Sequence, residues 1–361
     1  MTAGRPVRFG IVGGGWRAEF YLRVARELPG RFQVSGIVSR DPAKGERLQA
    51  AWHTASYRTL DALLQAEQPD FVVVSVPRAV APDVITTLVE RGMPVLAETP
   101  PAADLDALLA LNTRVDPTAR VQIAEQYPFQ PLHAARLALV ASGLLGTPAQ
   151  AQVSVAHGYH GMALLRRALG LGYDNARIDA RRIVSPIVAG PDRGGEPGAE
   201  CITSSGQVIA QFDFGDAFGV YDFCGDQYFS WIRAPRLLIR GERGEINNTQ
   251  VRYLADYRTP VALELRRQDA GLDGNLEGYH HKGILAGERW IYRNPLAPAR
   301  LSDDEVAVGT CLDRMASFVT GGESFYSLAE ASQDQYLSLM MESAVATQET
   351  ITTTTQPWAE Q

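Results

Sequence analysis

The amino-acid sequence predicts an α/β protein: a doubly wound parallel sheet at the N-terminus, followed by an α+β domain with an open, mostly antiparallel sheet. In the first third of the chain, short apolar strand-like runs alternate with helical stretches, as in a parallel sheet covered by helices. From about Gln126 onward, strand-like runs follow one another across glycine-rich turns, and two helices close the chain. We therefore divide the chain into residues 1–125 and residues 126–361.

The first strand and the first helix flank a glycine-rich loop. Val7–Val12 is an apolar run of residues that favour strands, and Trp16–Leu28 repeats apolar residues every fourth position, as one face of a helix does. The G-x-G-x-x-A pattern between them allows a sharp turn and a close backbone approach to a pyrophosphate, and Ala18 keeps the helix near the strand. This pattern predicts a Rossmann dinucleotide site. Its loop residues are Gly13, Gly14, Gly15, Trp16 and Arg17.

The end of the second strand bears on the choice of cofactor. Phe32–Val38 is followed by Ser39 and Arg40, at the point where a carboxylate would bind the 2′-hydroxyl of NAD and an arginine would accommodate the 2′-phosphate of NADP. A hydroxyl beside a guanidinium suits a phosphate better than a diol. The residues favour NADP over NAD, although Asp41 could turn in and bind a ribose instead.

Two further strand ends complete the predicted cofactor crevice. Phe71–Val76 is a continuous apolar run that Pro77 ends, and Pro94–Ala97 ends in Glu98-Thr99-Pro100. Because ligands of doubly wound sheets bind at the carboxyl ends of the strands, we expect these ends to meet the glycine loop. The further cofactor-binding residues predicted are Ser75, Val76, Pro77 and Glu98.

Composition and charge exclude several classes of protein. The net charge of −7 provides no basic field for nucleic acid, and no apolar run approaches the ~20 residues that span a bilayer. No signal peptide opens the sequence, and the 3 cysteines are scattered without a C-x-x-C pair. We expect a cytoplasmic protein that holds no metal and binds neither nucleic acid nor membrane. The polar C-terminal stretch 352–361 is expected to fray.

The motifs of the first domain resemble those of the glucose-fructose oxidoreductase / inositol dehydrogenase / MocA family. The resemblance rests on the strand–GxGxxA–helix, on Val76-Pro77 after an apolar strand, and on Glu98-x-Pro100 after the next. It implies an NAD(P)-dependent oxidoreductase that acts on sugars, cyclitols or related hydroxy compounds by hydride transfer. It also implies dimers or tetramers built through the open sheet.

The sequence departs from this family in the catalytic motifs. Thr99 stands where the family usually has a lysine that helps to move a proton, and the two lysines, Lys44 and Lys282, are distant in sequence from the predicted crevice motifs. The family's D-x-x-x-H motif keeps its histidine as His160, but Ala156 stands at the aspartate position. Biliverdin reductases resemble this family and also lack the lysine, so its absence does not by itself remove activity.

His160 is the best remaining titratable group and the candidate general acid/base. It lies at a predicted helix start, whose N-terminus disfavours the imidazolium, and we expect it to titrate within a unit or two of ~6.5. Tyr159, or a water held by Thr99, is a weaker candidate for moving the proton. His160 could instead pack the junction of the two domains. A metal site on His157 and His160 lacks an obvious third ligand.

These observations leave two functions open. The first is an atypical enzyme, in which a nicotinamide cofactor and a sugar-like or other polyhydroxylated small molecule exchange a hydride. The second is a cofactor-binding sensor or partner-binding protein of the same fold, of which the yeast galactose-pathway repressor is an example. A sheet with one uncovered face commonly pairs with a copy of itself, so either protein is expected to be a homodimer or homotetramer.

Overall fold

The computed structural model of this chain describes residues 5–271 and 279–360, and it contains two separate sheets. One has six strands, all parallel, and the other has eleven strands and is mostly antiparallel. The predicted fold class is therefore confirmed. Within the described residues, no helix is both long enough and apolar enough to cross a membrane.

The parallel sheet belongs to the first domain. Its strands are β1 (Val7–Val12), β2 (Phe32–Val38), β3 (Ser56–Tyr57), β4 (Phe71–Val74), β5 (Val95–Ala97) and β6 (Val121–Ile123). The helices between them are α1 (Ala18–Glu27), α2 (Pro42–Trp52), α3 (Leu60–Ala66), α4 (Ala81–Glu90) and α5 (Leu105–Arg114).

The order of these strands places the site. It runs β3-β2-β1-β4-β5-β6, so the direction of winding reverses between β1 and β4. Every residue of β4 is buried, as expected for a parallel strand covered by helices on both faces. The reversal opens a crevice at the carboxyl ends of β1 and β4, where ligands of such sheets bind.

The second sheet follows the domain change that the sequence predicts. Its strands are β7 (Pro148–Ser154), β8 (Arg177–Val188), β9 (Ile202–Asp213), β10 (Phe218–Cys224), β11 (Arg236–Gly241), β12 (Gly244–Asn247), β13 (Gln250–Leu254), β14 (Pro260–Ala270), β15 (His280–Ala286), β16 (Arg289–Arg293) and β17 (Ile351–Thr352). The accompanying helices are α6 (Pro131–Ala141), α7 (Gly158–Leu169), α8 (Asp303–Val319) and α9 (Leu328–Thr347).

Helices cover one face of the second sheet. Leu165 of α7 and Met341 of α9 share a buried cluster with Val153 and Ile178 of the strands beneath them. Farther out, Ile183, Val184 and Ile202 of the β8–β9 hairpin are at least half exposed. The hairpin therefore presents apolar side chains that nothing in the described chain covers.

The last two helices return to the first domain. Leu312 and Met315 of α8 are fully buried in the same cluster as Phe9 and Tyr21. Both helices begin with capping boxes, Ser302 with Glu305 and Ser327 with Glu330. These late residues therefore complete the core of the first domain. The division of the chain between residues 125 and 126 stays a prediction.

One expectation from the sequence is wrong, and one strand was not predicted. The C-terminal stretch does not fray through the described residue 360: Trp358 is 1% exposed, and its indole N–H donates to Gln333 Oε1 at 3.0 Å. The buried Trp358 side chain anchors this segment, although the residues around it in the sequence are mostly polar. The strand β8 was not expected. Its arginines and Pro186 interrupt the apolar pattern, because most of this strand is exposed.

Candidate functional site

A cavity of about 1000 Å³ lies at the carboxyl ends of the parallel strands, where the second domain closes over them. Every site residue that the sequence predicts lines it, from Gly13 at one end to His160 at the other. The cavity also includes Lys44, Arg58 and His157, which the sequence did not single out as part of this site. The fold thus brings all these residues together around one cavity.

The three glycines of the loop have different functions. Gly13 has φ +110°, and a Cβ there would lie 2.0 Å from the carbonyl oxygen of Ser75, so only glycine fits. A Cβ on Gly14 would lie 2.7 Å from a methyl carbon of Leu48. A Cβ on Gly15 would meet nothing within 4 Å. Gly13 is thus required by the fold itself, and a side chain at Gly14 would have to displace the Leu48 methyl group. Gly15 instead borders open space, as a cradle for a pyrophosphate must.

Arg17 forms ion pairs with carboxylates of both domains. Its guanidinium lies 3.7 Å from Glu98 and 3.4 Å from Asp304 at the start of α8. Glu98 also accepts a hydrogen bond from the Tyr21 hydroxyl. Burial raises the pKa of Glu98, while Arg17 and Tyr21 act in the opposite direction. Arg17 and Glu98 both line the cavity, and their opposite charges largely compensate each other.

At the β2 end of the cavity, cations outnumber available acids. The hydroxyl of Ser39 donates to the backbone oxygen of Asp41 at 3.0 Å, and the Asp41 carboxylate caps α2 by accepting the N–H of Lys44 at 3.2 Å. Asp41 is therefore already engaged. Arg40, Lys44 and Arg58 line the same end. Lys44, which is distant in sequence from the predicted crevice motifs, nevertheless lines the cavity, because the first turn of α2 folds back toward the glycine loop.

At the opposite end, His160 pairs with a residue that the sequence analysis missed. Nδ1 of His160 lies 2.6 Å from Oε2 of Glu125, and both side chains are almost fully buried. Burial lowers the pKa of His160 to about 3 and raises the pKa of Glu125 to about 8. The expectation that His160 titrates near ~6.5 was therefore wrong. Burial, more than the helix N-terminus, keeps the imidazole neutral.

The carboxylate beside His160 comes from Glu125 and not from the D-x-x-x-H motif. Ala156, which stands at the aspartate position of the D-x-x-x-H motif, is fully buried and offers no carboxylate. Glu125 instead follows the end of β6, and the two residues of the pair are 35 positions apart in the chain. The sequence could have indicated Glu125 as a site residue, because it follows the end of β6 as Glu98 follows the end of β5, and both strand ends lie on the same edge of the sheet.

A second chain of hydrogen bonds lines the cavity beside this pair. His157 Nδ1 lies 2.5 Å from the Tyr228 hydroxyl, and its Nε2 lies 3.1 Å from the Tyr159 hydroxyl. Tyr159 in turn donates to the backbone oxygen of Thr99 at 3.5 Å. The surrounding protein removes water from His157 and lowers its pKa to about 4. Thr99, at the lysine position of the family motif, thus contacts Tyr159 through its backbone rather than through a titratable side chain.

A metal centre is not indicated at this site. His157 and His160 have ring centres 5.0 Å apart, but Nδ1 of each is already hydrogen-bonded to Tyr228 or Glu125. In residues 5–271 and 279–360, no group of three or more histidine, cysteine, aspartate or glutamate side chains is arranged to hold a metal ion.

Comparison with known proteins identifies the first domain. Residues 7–123 match the family model described as "Oxidoreductase family, NAD-binding Rossmann fold", which is that of the glucose-fructose oxidoreductase, inositol dehydrogenase and MocA proteins. An inositol 2-dehydrogenase from Leifsonia xyli is 29% identical over 150 residues, which are 40% of this chain and 44% of that protein. The chain therefore matches less than half the length of this curated relative.

Solved structures share the fold over nearly the whole chain. The WlbA dehydrogenase of Bordetella pertussis, in complex with NADH and UDP-GlcNAcA, has a TM-score of 0.64 at 16% identity and covers 99% of this chain and 100% of its own. A myo-inositol dehydrogenase of Corynebacterium glutamicum has a TM-score of 0.65 at 16% identity, with 97% and 99% covered. At this identity the likeness shows a common fold, including the open-sheet second domain.

Proposed function

We propose that this chain, whose residues 7–123 match the model of the glucose-fructose oxidoreductase, inositol dehydrogenase and MocA family, is an NAD(P)-dependent oxidoreductase of that family. Its proposed substrates are sugar-like or other polyhydroxylated alcohols and carbonyl compounds. The observation that carries the proposal is the buried Glu125–His160 pair, whose histidine lines the same cavity as the glycine loop. A cofactor cradle and a group that moves protons are the two parts such a reaction needs.

The residues at the β1 end of the cavity fit a dinucleotide. The open space at Gly15 would admit the pyrophosphate, and the N-terminus of α1 favours its negative charge. When bound, the cofactor supplies or accepts the hydride at its nicotinamide ring. The protein's own contribution is to hold that ring and the substrate together at the His160 end of the cavity.

We propose NADP as the preferred cofactor. Arg40, Lys44 and Arg58 concentrate positive charge where the adenosine ribose of a dinucleotide would lie, and Asp41 is engaged as the cap of α2. A 2′-phosphate would gain charge-assisted hydrogen bonds from this cluster, whereas the 2′-hydroxyl of NAD would find no unengaged acid there. NAD remains the alternative, since the family model is described as NAD-binding and the WlbA dehydrogenase structure contains NADH.

His160 is the proposed general acid/base, and Glu125 sets its tautomer. While Glu125 is protonated, its O–H donates to Nδ1, and the hydrogen of the imidazole then lies on Nε2. That hydrogen passes to the oxygen of a carbonyl substrate as a hydride arrives at its carbon, while the Glu125 proton moves to Nδ1. The imidazole stays neutral, and the carboxylate of Glu125 carries the new charge.

Oxidation of an alcohol runs the same exchange in reverse. Nε2 of His160 accepts the hydroxyl proton, and Nδ1 gives its proton back to Glu125. The reacting oxygen needs only one contact with the protein for this, at Nε2. Tyr159 and His157 lie next to that position and would bind neighbouring hydroxyl groups of a polyhydroxylated substrate. Thr99 is proposed to hold Tyr159 in place through its backbone oxygen.

The proposed function is tested by the variant His160→Asn. Asparagine keeps a hydrogen-bonding side chain but cannot exchange a proton near neutral pH, so kcat should fall by about 10²–10⁴-fold. The affinity for NADP, measured by calorimetry, should not change. The activity assay follows nicotinamide absorbance across a panel of sugars, cyclitols and carbonyl compounds. A fully active His160→Asn protein would overturn the assignment of the acid/base.

The replacement of the family lysine by Thr99 favours a second candidate, a cofactor-binding sensor or partner-binding protein. This candidate predicts tight NADP binding without turnover of any compound in the panel. In that case the Glu125–His160 pair would serve only to join the two domains.

We also propose that the chain forms a homodimer or homotetramer through its open sheet. Ile183, Val184 and Ile202 expose apolar surface on the β8–β9 hairpin, which a second copy would bury. Light scattering of the purified protein would measure the mass directly. A monomer at all concentrations would exclude this assembly.

A further inference from the structure

The hairpin between β8 and β9 carries an arginine at a fixed position. Asp192 and Gly195 exchange two backbone hydrogen bonds, of 3.0 and 3.1 Å, and the Asp192 carboxylate accepts the N–H of Gly194 at 2.6 Å. Gly195 has φ +121°, which this tight turn requires. Arg193 therefore lies at the tip of a closed turn rather than on an irregular loop.

The turn reaches from the second domain to the glycine loop of the first. The guanidinium carbon of Arg193 lies 4.1 Å from the ring centre of Trp16, the residue directly after Gly15. This is a close cation–π contact, and Trp16, 48% exposed, lines the cavity. The charge of Arg193 is also felt at His157, where it acts with burial to lower the pKa. Arg193 thus lies at the mouth of the cavity.

The glycine loop has no unpaired cation of its own, and Lys44 of α2 approaches it on the side of Gly14, where a Cβ would lie 3.3 Å from Lys44 Cε. The loop's one charged side chain, Arg17, is paired with Glu98 and Asp304. A pyrophosphate carries two negative charges, and the backbone at Gly15 and the α1 N-terminus neutralise them only in part. Among the ion pairs within 4 Å in the described part of the chain, none involves Arg193. A guanidinium binds a phosphate through two parallel hydrogen bonds, which makes it the side chain best suited to this position.

We propose that Arg193 binds the pyrophosphate of the dinucleotide cofactor across the domain boundary, with its guanidinium held over the ring of Trp16. This inference rests on the proposed function, because it requires that the cavity takes a dinucleotide. It assigns to the second domain a direct part in cofactor binding. The cofactor is then held from both sides, by the backbone at Gly15 and by the tip of the β8–β9 hairpin.

The test compares Arg193→Ala with Arg258→Ala. Arg258 also belongs to the second domain and stacks on an exposed aromatic ring, that of Tyr257 at 4.6 Å, but Tyr257, unlike Trp16, does not line the cavity. Calorimetry measures the binding of NADP, of NAD and of adenosine 2′-monophosphate, which has no pyrophosphate. Arg193→Ala should weaken both dinucleotides by about 10- to 100-fold, as expected for the loss of a charge-assisted contact, and should leave the monophosphate unchanged. Arg258→Ala should change none of the three.

Arg193→Lys gives a graded result. It keeps the charge but loses the planar fork, so its affinity for both dinucleotides should fall between those of the wild type and Arg193→Ala. Equal affinity of Arg193→Ala and the wild type for both dinucleotides would overturn the inference, as would a change confined to the KM of the substrate. If the wild type binds no dinucleotide at all, the proposed function itself fails, and that outcome is distinct.

Discussion

The two ends of the cavity are built differently. At the β1 and β2 end, the glycine loop and Ser39-Arg40 follow directly after strands of one parallel sheet. At the other end, His160 of the second domain pairs with Glu125 of the first. The first end is therefore determined by local sequence: a strand, a turn of glycines and a helix start. The second end exists only when the two domains pack. The comparison teaches that a departure from a family motif in sequence need not be a loss in space, since Glu125 supplies the carboxylate that Ala156 lacks.

The largest effect is expected at the locally determined end. In Gly15→Val, the new side chain would enter the open space at the loop without touching the fold, because a Cβ there has no neighbour within 4 Å. Binding of NADP and NAD should fall below detection by calorimetry, while the thermal unfolding midpoint stays close to that of the wild type.

Gly13→Val is the matched contrast. Its Cβ would lie 2.0 Å from the backbone oxygen of Ser75, and its φ of +110° suits only glycine, so this variant should be strongly destabilised. Unchanged cofactor affinity in a folded Gly15→Val protein would show that the loop is only a turn.

The local origin of the first end explains why it could be predicted. Periodicity and glycine spacing over Val7–Leu28 were sufficient to place the loop, and every predicted cofactor residue lines the cavity. Even there, the neighbourhood of Lys44 was not evident, because it depends on how α2 folds back over the loop. The pairing of Glu125 with His160 could not be predicted, since no local pattern relates residues 35 positions apart. The anchor at Trp358 escaped prediction for the same reason, because its contact is with Gln333 in another element. Strand β8 escaped because most of it is exposed and its sequence therefore has no regular apolar pattern.

An intermediate effect is expected at the end that the two domains form together. Burial raises the pKa of Glu125 to about 8, so its proton is present below that pH and absent above it. Reduction of a carbonyl uses this proton and should slow as the pH rises through about 8, whereas oxidation of an alcohol needs the carboxylate and should speed up over the same interval. The apparent value belongs to the Glu125–His160 pair as a unit.

Glu125→Gln should remove this transition. Glutamine keeps a hydrogen bond to Nδ1 but neither gains nor loses a proton, so kcat should fall by about 10²-fold and become independent of pH between about 7 and 9. Steady-state rates in both directions across this range make the measurement, with calorimetry of NADP binding as the control. A variant that retains the transition near pH 8 would assign it to another group and reduce Glu125 to a packing residue.

The smallest effect returns to the first end and concerns the choice between two cofactors. Arg40→Ala removes one of the three cations that line the cavity beyond β2, and Lys44 and Arg58 remain. A charge-assisted contact is worth roughly 1.5–3 kcal/mol, so the affinity for NADP should fall by about 10- to 100-fold, toward the lower figure if the neighbouring cations compensate. The affinity for NAD, which has no 2′-phosphate, should hardly change. Calorimetry with both cofactors on the same preparation measures the difference in affinity. The variant Lys44→Ala shows how much of the affinity for NADP comes from the neighbouring cation. Equal losses for NADP and NAD would mean that Arg40 supports the loop rather than the phosphate, and the preference for NADP would then have no support from this end of the cavity.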